Sequence, residues 1–101
     1  MNTVPRKRID ILADAPLLPR LIDALRASGV SSHTVFPALS GAGATGRWSD
    51  DGLTGTDKLI VMAITSAEHA AALVDHLAPL LDSHRLLLTL TDVEVVRGDR
   101  F

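Results

Sequence analysis

The chain contains no cysteine and no tyrosine, and its aromatic side chains are one tryptophan and two phenylalanines. The absence of cysteine excludes disulfides, thiolate catalysis and cysteine-ligated zinc sites. No run of apolar residues is long enough to cross a bilayer, so the protein is not expected to span a membrane. The basic residues near the N-terminus have no hydrophobic segment behind them, so we expect no secretory signal and a cytoplasmic location.

The charges are nearly balanced. Ten lysines and arginines against twelve aspartates and glutamates give a net charge of -2. This balance provides no general attraction to nucleic acid or to an anionic membrane. Apolar residues make up 47% of the 101 residues, which is enough for a single folded domain over residues 1–101. A domain of this size buries a modest core, so association between copies would stabilise it.

Residue patterns of catalysis and metal binding are sparse. His69 and His76 are seven residues apart on a predicted helix, roughly 10 Å along its axis, which is too far for one ion. His33 and His84 stand alone. No serine elbow, paired carboxylates or thiol nucleophile occurs, and the asparagine that an acylphosphatase needs beside an arginine has one candidate, Asn2 in the tail. We therefore predict no metal site and no enzymatic activity.

Two strands and a helix are predicted in the first part of the chain. Arg8–Ala13 has the composition of a strand, Leu18–Ser28 has helical periodicity, and Ser31–Leu39 reads as a second strand. Gly29 is the residue type expected just past a helix C-terminus. Pro37 favours an edge position or a bulge for the second strand.

The second half begins with a continuous apolar run at Asp57–Ile64, which is typical of a central strand covered on both faces. Thr65, followed three residues later by Glu68, matches a capping box and predicts a helix over Ser66–Ala78. Pro79 is expected to end or bend that helix.

The last predicted strand is Arg85–Arg97. An apolar residue recurs at each even-numbered position from Leu86 to Leu90 and at each odd-numbered position from Val93 to Val95. This change of face predicts a bulge or bend near Thr91 and Asp92. The two ends of the chain, residues 1–5 and 98–101, are expected to be flexible tails.

The resulting order of elements is βαββαβ. Two right-handed crossovers place four strands in one antiparallel sheet with both helices on one face, which is the ferredoxin-like α+β arrangement. The other face of the sheet would then be open. Since the run at residues 57–64 is apolar on both of its sides, something is expected to cover that face, and another copy of the chain is the economical candidate.

A long glycine-rich excursion, Ser40–Thr56, separates the second and third predicted strands. It holds five of the seven glycines and the only tryptophan, Trp48. Gly41–Gly46 matches the pattern G-x-G-x-x-G, but the dinucleotide-binding motif requires a helix directly afterwards, and none is indicated. Glycines let the backbone approach a phosphate closely and direct N–H groups at it. A flexible, solvated loop is the alternative.

Three arginines are the first candidate anion ligands. Arg47 in the excursion has the planar guanidinium fork that suits phosphate or carboxylate. Arg97 and Arg100 would complete an anion site if the last strand lies beside the base of the excursion. A solubilising tail is the alternative for that pair, and Lys58 and Arg85, which flank strands, are equally open.

Several segments resemble the PII family of signalling proteins and its PII-like relatives. ALRASGV at the end of the first helix, followed by HTVFPALSGAG, is similar to the family's second strand as it runs into the Gly-x-Gly at the base of the T-loop. Residues 40–56 stand where that T-loop stands. The ending LTDVEVVRGDRF is similar to the closing strand of bicarbonate-linked and carboxysome-associated PII-like proteins. The resemblance covers nearly the whole chain.

The resemblance implies a homotrimer whose sheets pack around a threefold axis, with adenine nucleotide bound in clefts between neighbouring subunits. Backbone N–H groups of two glycines would meet the phosphates, one isoleucine would lie near the adenine, and two arginines would reach the phosphates from the adjacent chain. This implied nucleotide-binding set is Gly41, Gly43, Ile64, Arg97 and Arg100. An accompanying anion-binding set in the loop is Ser40, Thr45, Gly46 and Arg47.

Two features depart from the family pattern. Without tyrosine, the uridylylation of the T-loop tyrosine cannot occur. The B-loop before the last strand is reduced to LLDSHR and lacks its usual phosphate-binding lysine, for which Arg85 is the candidate substitute. This loss favours ADP or AMP over ATP. The glutamine used in 2-oxoglutarate sensing is not evident, so that ligand is not expected.

Two hypotheses follow. The first is a trimeric, non-enzymatic regulator in inorganic-carbon metabolism that binds ADP or AMP, with bicarbonate as a candidate co-ligand. It would dock through residues 40–56 on a transporter or another inorganic-carbon protein. The second is a ferredoxin-like structural or small-enzyme module without nucleotide, similar to divalent-ion-tolerance proteins or acylphosphatases. The missing cysteine and asparagine count against both forms of the second hypothesis.

Overall fold

The computed structural model describes residues 1–43, 46–49 and 57–96. Within these residues the chain forms two α-helices, six strands and a short 3-10 turn at Ala15–Leu17. In chain order the elements are β1 Thr3–Asp14, α1 Leu18–Ala27, β2 Thr34–Ala38, β3 Ser40–Gly43, β4 Gly46–Ser49, β5 Lys58–Thr65, α2 Ala67–Ser83 and β6 Leu87–Val96.

Four of the strands form one antiparallel sheet in the order β2-β5-β1-β6, and β3 and β4 form a separate antiparallel pair. Both helices pack on one face of the larger sheet, so the predicted ferredoxin-like α+β fold is confirmed. Strand β2 is an edge strand, as its Pro37 indicated, because proline has no N–H for a second ladder.

The core lies between the helices and one face of the sheet. Alternate residues of β1 and β5 are buried there, since successive side chains of a strand point to opposite faces. The fully buried side chains of greatest volume are Ile9, Ile11, Val61, Leu21, Leu25, Leu73 and Leu77. Burial of these residues is the main force that holds α1 and α2 on the sheet.

The opposite face of the sheet is not covered by any element in the described part of the chain. One row across this face consists of Phe36, Ile60, Leu12 and Leu87, which are direct partners on neighbouring strands. Phe36 is 44% exposed and Leu87 is 59% exposed. The sequence predicts that something covers this face of the central strand β5. Within the described residues, the same chain does not provide that cover.

Strands β1 and β6 differ from the prediction in length and regularity. Strand β1 begins at Thr3, five residues before the predicted start, because it pairs with β6 as far as Val96. The β1–β6 register runs without interruption through Thr91 and Asp92, so the predicted bulge is wrong. The apolar residues of β6 change face at this point because the sheet narrows. Strand β5 pairs with β1 only as far as Lys7, and beyond it β1 and β6 continue as a two-stranded arm.

Helix α2 also differs from the prediction at both ends. Its N-cap is Ser66, whose hydroxyl accepts the His69 N–H at 3.1 Å, whereas Thr65 is the last residue of β5 and is buried. The helix continues through Pro79 to Ser83. Proline removes one helical hydrogen bond, but burial of Leu80 holds the following turn against the core.

Three other boundaries differ from the predicted ones. The first helix ends at Ala27, the second strand is confined to Thr34–Ala38, and the third ends at Thr65. The excursion predicted over residues 40–56 contains the β3–β4 hairpin, in which Gly41 pairs with Trp48 and Gly43 with Gly46. The sequence does not predict this hairpin, because most of its residues are small and have no strand preference. The hydrogen bonds of a ladder are made by the backbone, so strand-favouring side chains are not required.

The turn after α1 depends on Gly29, as predicted. Its φ is 82°, in the left-handed region. The Val30 N–H donates to the Leu25 carbonyl at 3.0 Å and the Gly29 N–H donates to the Arg26 carbonyl at 3.1 Å, which is a Schellman motif. A Cβ at this glycine would lie 3.1–3.3 Å from ring atoms of His69.

We expect Gly29→Ala to lower the free energy of unfolding by about 1–2 kcal/mol, because a residue with a Cβ is strained at this φ. Chemical denaturation should be compared in the wild-type and His69→Ala backgrounds at one protein concentration. If backbone strain is the cause, most of the loss persists without the histidine ring. Loss confined to the wild-type background would instead assign the effect to the ring contact, and no loss in either would contradict the prediction.

Candidate functional site

A cleft of about 710 Å³ lies at the end of the sheet where β1 finishes and β5 and β6 begin. Hydrogen bonding closes this end of the sheet: the Ala15 N–H donates to the Asp57 carbonyl at 3.0 Å. Four leucines form the apolar part of the cleft. They are Leu12 from β1, Leu81 from α2, Leu86 from the connection, and Leu87 from β6.

The hairpin strand β3 forms a second wall, through Gly41, Ala42 and Gly43. Within the described part of the chain β3 pairs only with β4, so its outer backbone groups remain outside that ladder. Gly43 is exposed, and a Cβ built on it would meet no atom of the described residues within 4 Å. A side chain at this position would therefore occupy open space and would exclude a ligand without disturbing the described fold.

Three basic residues complete the cleft: Lys58, His84 and Arg85. Lys58 is the first residue of β5 and lies opposite Asp14 of β1 in the ladder. Its Nζ is 2.6 Å from Asp14 Oδ1, so part of its charge is already compensated. Arg85 is exposed and forms no ion pair with any described residue.

The position of His84 is fixed by the end of α2. Its backbone N–H donates to the Leu80 carbonyl at 2.8 Å, which terminates the helix. Its ring Nδ1 lies 2.7 Å from the hydroxyl of Ser83, and that hydroxyl donates to the Pro79 carbonyl at 3.0 Å. The last turn of α2 thus orients an imidazole at the mouth of the cleft.

The chemistry of the cleft suits a ligand with an apolar part and an anionic part. The leucines offer an apolar surface for a flat, apolar group. Exposed glycine backbone and a guanidinium are the groups that proteins use for phosphates and carboxylates. Among the described residues no cluster of three or more histidine, aspartate or glutamate side chains could hold a metal ion.

The structure brings together only part of the predicted set. Gly41 and Gly43 line the cleft, together with the candidate substitute Arg85. Ser40 and Arg47 are exposed on the hairpin, where Arg47 pairs with Ala42. Gly46 lies in β4, opposite Gly43. Three other predicted site residues, Thr45, Arg97 and Arg100, lie outside the described residues.

Ile64 does not line this cleft. It lies six residues beyond Lys58 on β5, or roughly 20 Å along the strand. There it borders a small cavity of about 190 Å³ with Ser32, His33 and Thr34. Within one chain, therefore, the predicted adenine contact Ile64 and the glycines Gly41 and Gly43 are at opposite ends of the sheet.

The sequence alone does not assign His84 to the site, and it leaves Lys58 open between a site role and a surface role. A sequence signal existed for each: Lys58 closely follows the glycine-rich excursion, and His84 directly precedes Arg85 in the shortened connection. No sequence signal indicates that Leu12 and Leu87 line the cleft. Their position depends on the β1–β6 register, which places both at the same end of the sheet.

Comparison with solved structures identifies the fold independently. CPII from Thiomonas intermedia K12, a nitrogen regulatory PII-like protein bound to ADP, AMP and bicarbonate, superposes with a TM-score of 0.89 at 22% sequence identity. The match covers 99% of this chain and 96% of that one. A PII-like signalling protein from Thermus thermophilus superposes with a TM-score of 0.80 at 24% identity, covering 99% and 98% of the two chains.

A more distant structure shares the same architecture. The GlnK–ATP complex of B. subtilis has a TM-score of 0.56 at 13% identity, with 86% of this chain and 82% of that chain covered. At such identities these likenesses establish the fold. A comparison with curated proteins found no match.

The family comparison covers nearly all of the sequence. The model of the family described as nitrogen regulatory protein P-II matches residues 6–100. This range contains both helices and all six strands of the described residues, apart from the first three residues of β1. The βαββαβ order, the hairpin at the base of the excursion and this match agree, and the chain belongs to the P-II family.

Proposed function

We propose that this protein is a non-enzymatic, cytoplasmic regulator that binds ADP or AMP between neighbouring subunits of a homotrimer. The observation that carries the proposal is the cleft in which leucines, glycine backbone and the basic residues Lys58 and Arg85 meet. An adenine nucleotide has matching parts, with a flat base for the apolar surface and phosphates for the backbone N–H groups and the guanidinium.

The charge of the cleft favours the shorter nucleotides. Lys58 is paired with Asp14, so Arg85 is the permanently charged group whose charge is least compensated by described residues. One or two phosphates suit this charge better than three. The CPII structures bound to ADP and AMP support this ligand class, since they share the fold.

A homotrimer is supported by the open face of the sheet. A row of four apolar side chains crosses it, and two of them belong to residues that are 44% and 59% exposed in the isolated chain. Such a row is expected at an interface between copies. Association would also allow Ile64, Arg97 and Arg100 of one subunit to approach the cleft of the next, which a single chain does not achieve with Ile64.

Residues 40–56 are the proposed signalling segment. Its hairpin supplies one wall of the cleft and also carries the exposed Arg47, so a bound ligand and a partner protein would contact the same segment. A ligand shifts such a segment only through contacts that differ between its two states. We propose bicarbonate as the co-ligand, supported by its presence in a CPII complex, and a transporter or other inorganic-carbon protein as the partner.

Two measurements distinguish the proposed regulator from the alternative, which is a ferredoxin-like module that binds no nucleotide. Sedimentation or light scattering should give about three times the chain mass of 10.7 kDa. Calorimetric titration with ADP, AMP and ATP, each with and without bicarbonate, should give saturable heat, strongest with ADP or AMP. A monomer that binds none of them would overturn the proposal.

We expect Arg85→Ala to weaken ADP binding by about 10–100-fold, because a charge-assisted hydrogen bond to phosphate contributes roughly 1.5–3 kcal/mol. The matched control is Arg26→Ala, which removes the same charge from an exposed position on α1. Titration calorimetry at one ionic strength should show a loss only in the first variant. Equal affinities in both variants would remove Arg85 from the site.

We expect Gly43→Val to weaken ADP binding by at least about tenfold while leaving the thermal midpoint within a few degrees of wild type. Added methyl groups would fill ligand space, and among the described residues no atom lies within 4 Å of a Cβ at this position. Gly43→Ala should give an intermediate loss. Unchanged affinity in both variants would show that the ligand does not approach this backbone.

A further inference from the structure

His84 lies among the basic residues of the cleft and has a restricted orientation. Its Nδ1 is 2.7 Å from Ser83 Oγ. The hydroxyl has one proton, and it donates that proton to the Pro79 carbonyl at 3.0 Å. Nδ1 therefore carries the imidazole proton and donates to Ser83, which leaves Nε2 as the unprotonated nitrogen of the neutral ring.

A neutral ring of this tautomer has nothing to donate from Nε2. When Nε2 takes a proton from solvent, the imidazolium can donate an N–H to a phosphate oxygen while the bond to Ser83 remains in place. The Ser83 contact thus permits the charged form without moving the ring. An anion in the cleft would stabilise that form by direct attraction.

The charges around His84 determine whether a bound ligand favours the protonated or the neutral imidazole. Within the described part of the cleft, the neighbouring charged groups are Lys58 of β5, which is paired with Asp14 of β1, and Arg85, which follows in the chain. Helix α2 contributes Asp82, which is exposed. A bound phosphate would add up to about two negative charges beside these basic groups and so favour a third positive charge.

We propose that His84 takes up a proton when a phosphate-bearing ligand enters the cleft, so that the contribution of His84 to ligand binding grows as the pH falls. This inference rests on the proposed function. Linkage requires that a ligand which favours the protonated ring gains affinity from that ring as the pH falls.

The expected size follows from the linkage relation. If a bound phosphate makes protonation of the ring tenfold more favourable, the advantage of wild type over His84→Gln in ADP affinity should approach tenfold at low pH and vanish at high pH. Titration of the ADP phosphate itself affects both proteins equally and cancels in this ratio. A glutamine retains polarity and approximate size but does not titrate.

The decisive measurement is ADP calorimetry at pH 7.5 in two buffers with different ionisation enthalpies. The terminal phosphate, with a second pKa near 6, is almost fully dianionic there and contributes little proton exchange. Wild type should take up a measurable fraction of a proton per ADP bound, and His84→Gln close to none. His76→Gln is the control, because that histidine lies on α2 outside this cleft and should leave the uptake unchanged.

The outcomes separate the two proposals. Saturable ADP binding without proton uptake, or with the same uptake in His84→Gln, would overturn the role of His84 and leave the proposed function intact. Absence of ADP binding by the wild-type protein at every pH would overturn both. Uptake lost in His84→Gln and kept in His76→Gln would support the assignment.

Discussion

The antiparallel pairing of β1 with both β5 and β6 is the constraint on which the rest of the structure depends. It sets Leu12 opposite Ile60 on one side and Leu87 on the other, and Asp14 opposite Lys58. A register shift of one residue would turn the buried side chains of β1 towards the open face. The same register that buries the core therefore assembles the apolar and basic parts of the cleft at one end of the sheet.

Local sequence signals predicted the fold because most elements carry their own periodicity and end signals. Gly29 shows this well, since its left-handed φ follows from the Schellman turn expected after α1. The failures concern tertiary context. Leu80 keeps α2 helical beyond Pro79, and the long β1 partner keeps β6 regular through Asp92. Neither effect is visible in a short window of sequence, because the stabilising residue is distant or on another element.

The candidate site was predictable only in part for a similar reason. The glycines at 41 and 43 and the arginine at 85 have recognisable chemistry, whereas Leu12 and Leu87 are ordinary strand residues until the register makes them neighbours. Ile64 shows a second limit of the sequence. The family resemblance groups it with the glycines, yet one chain holds it at the far end of β5, so bringing these residues together requires a second subunit.

Under the proposed function, Leu12 and Leu87 would lie between the ligand and the interface of the assembly. They belong to the apolar row that crosses the open face of the sheet, and they also line the cleft. In the proposed trimer a ligand at this end would touch the edge of the surface on which copies meet. Since the hairpin forms the opposite wall, the proposed nucleotide would contact both the sheet and the segment that we propose as the docking surface for a partner. A ligand placed there can alter the hairpin without deforming the core, because the core lies on the other face of the sheet.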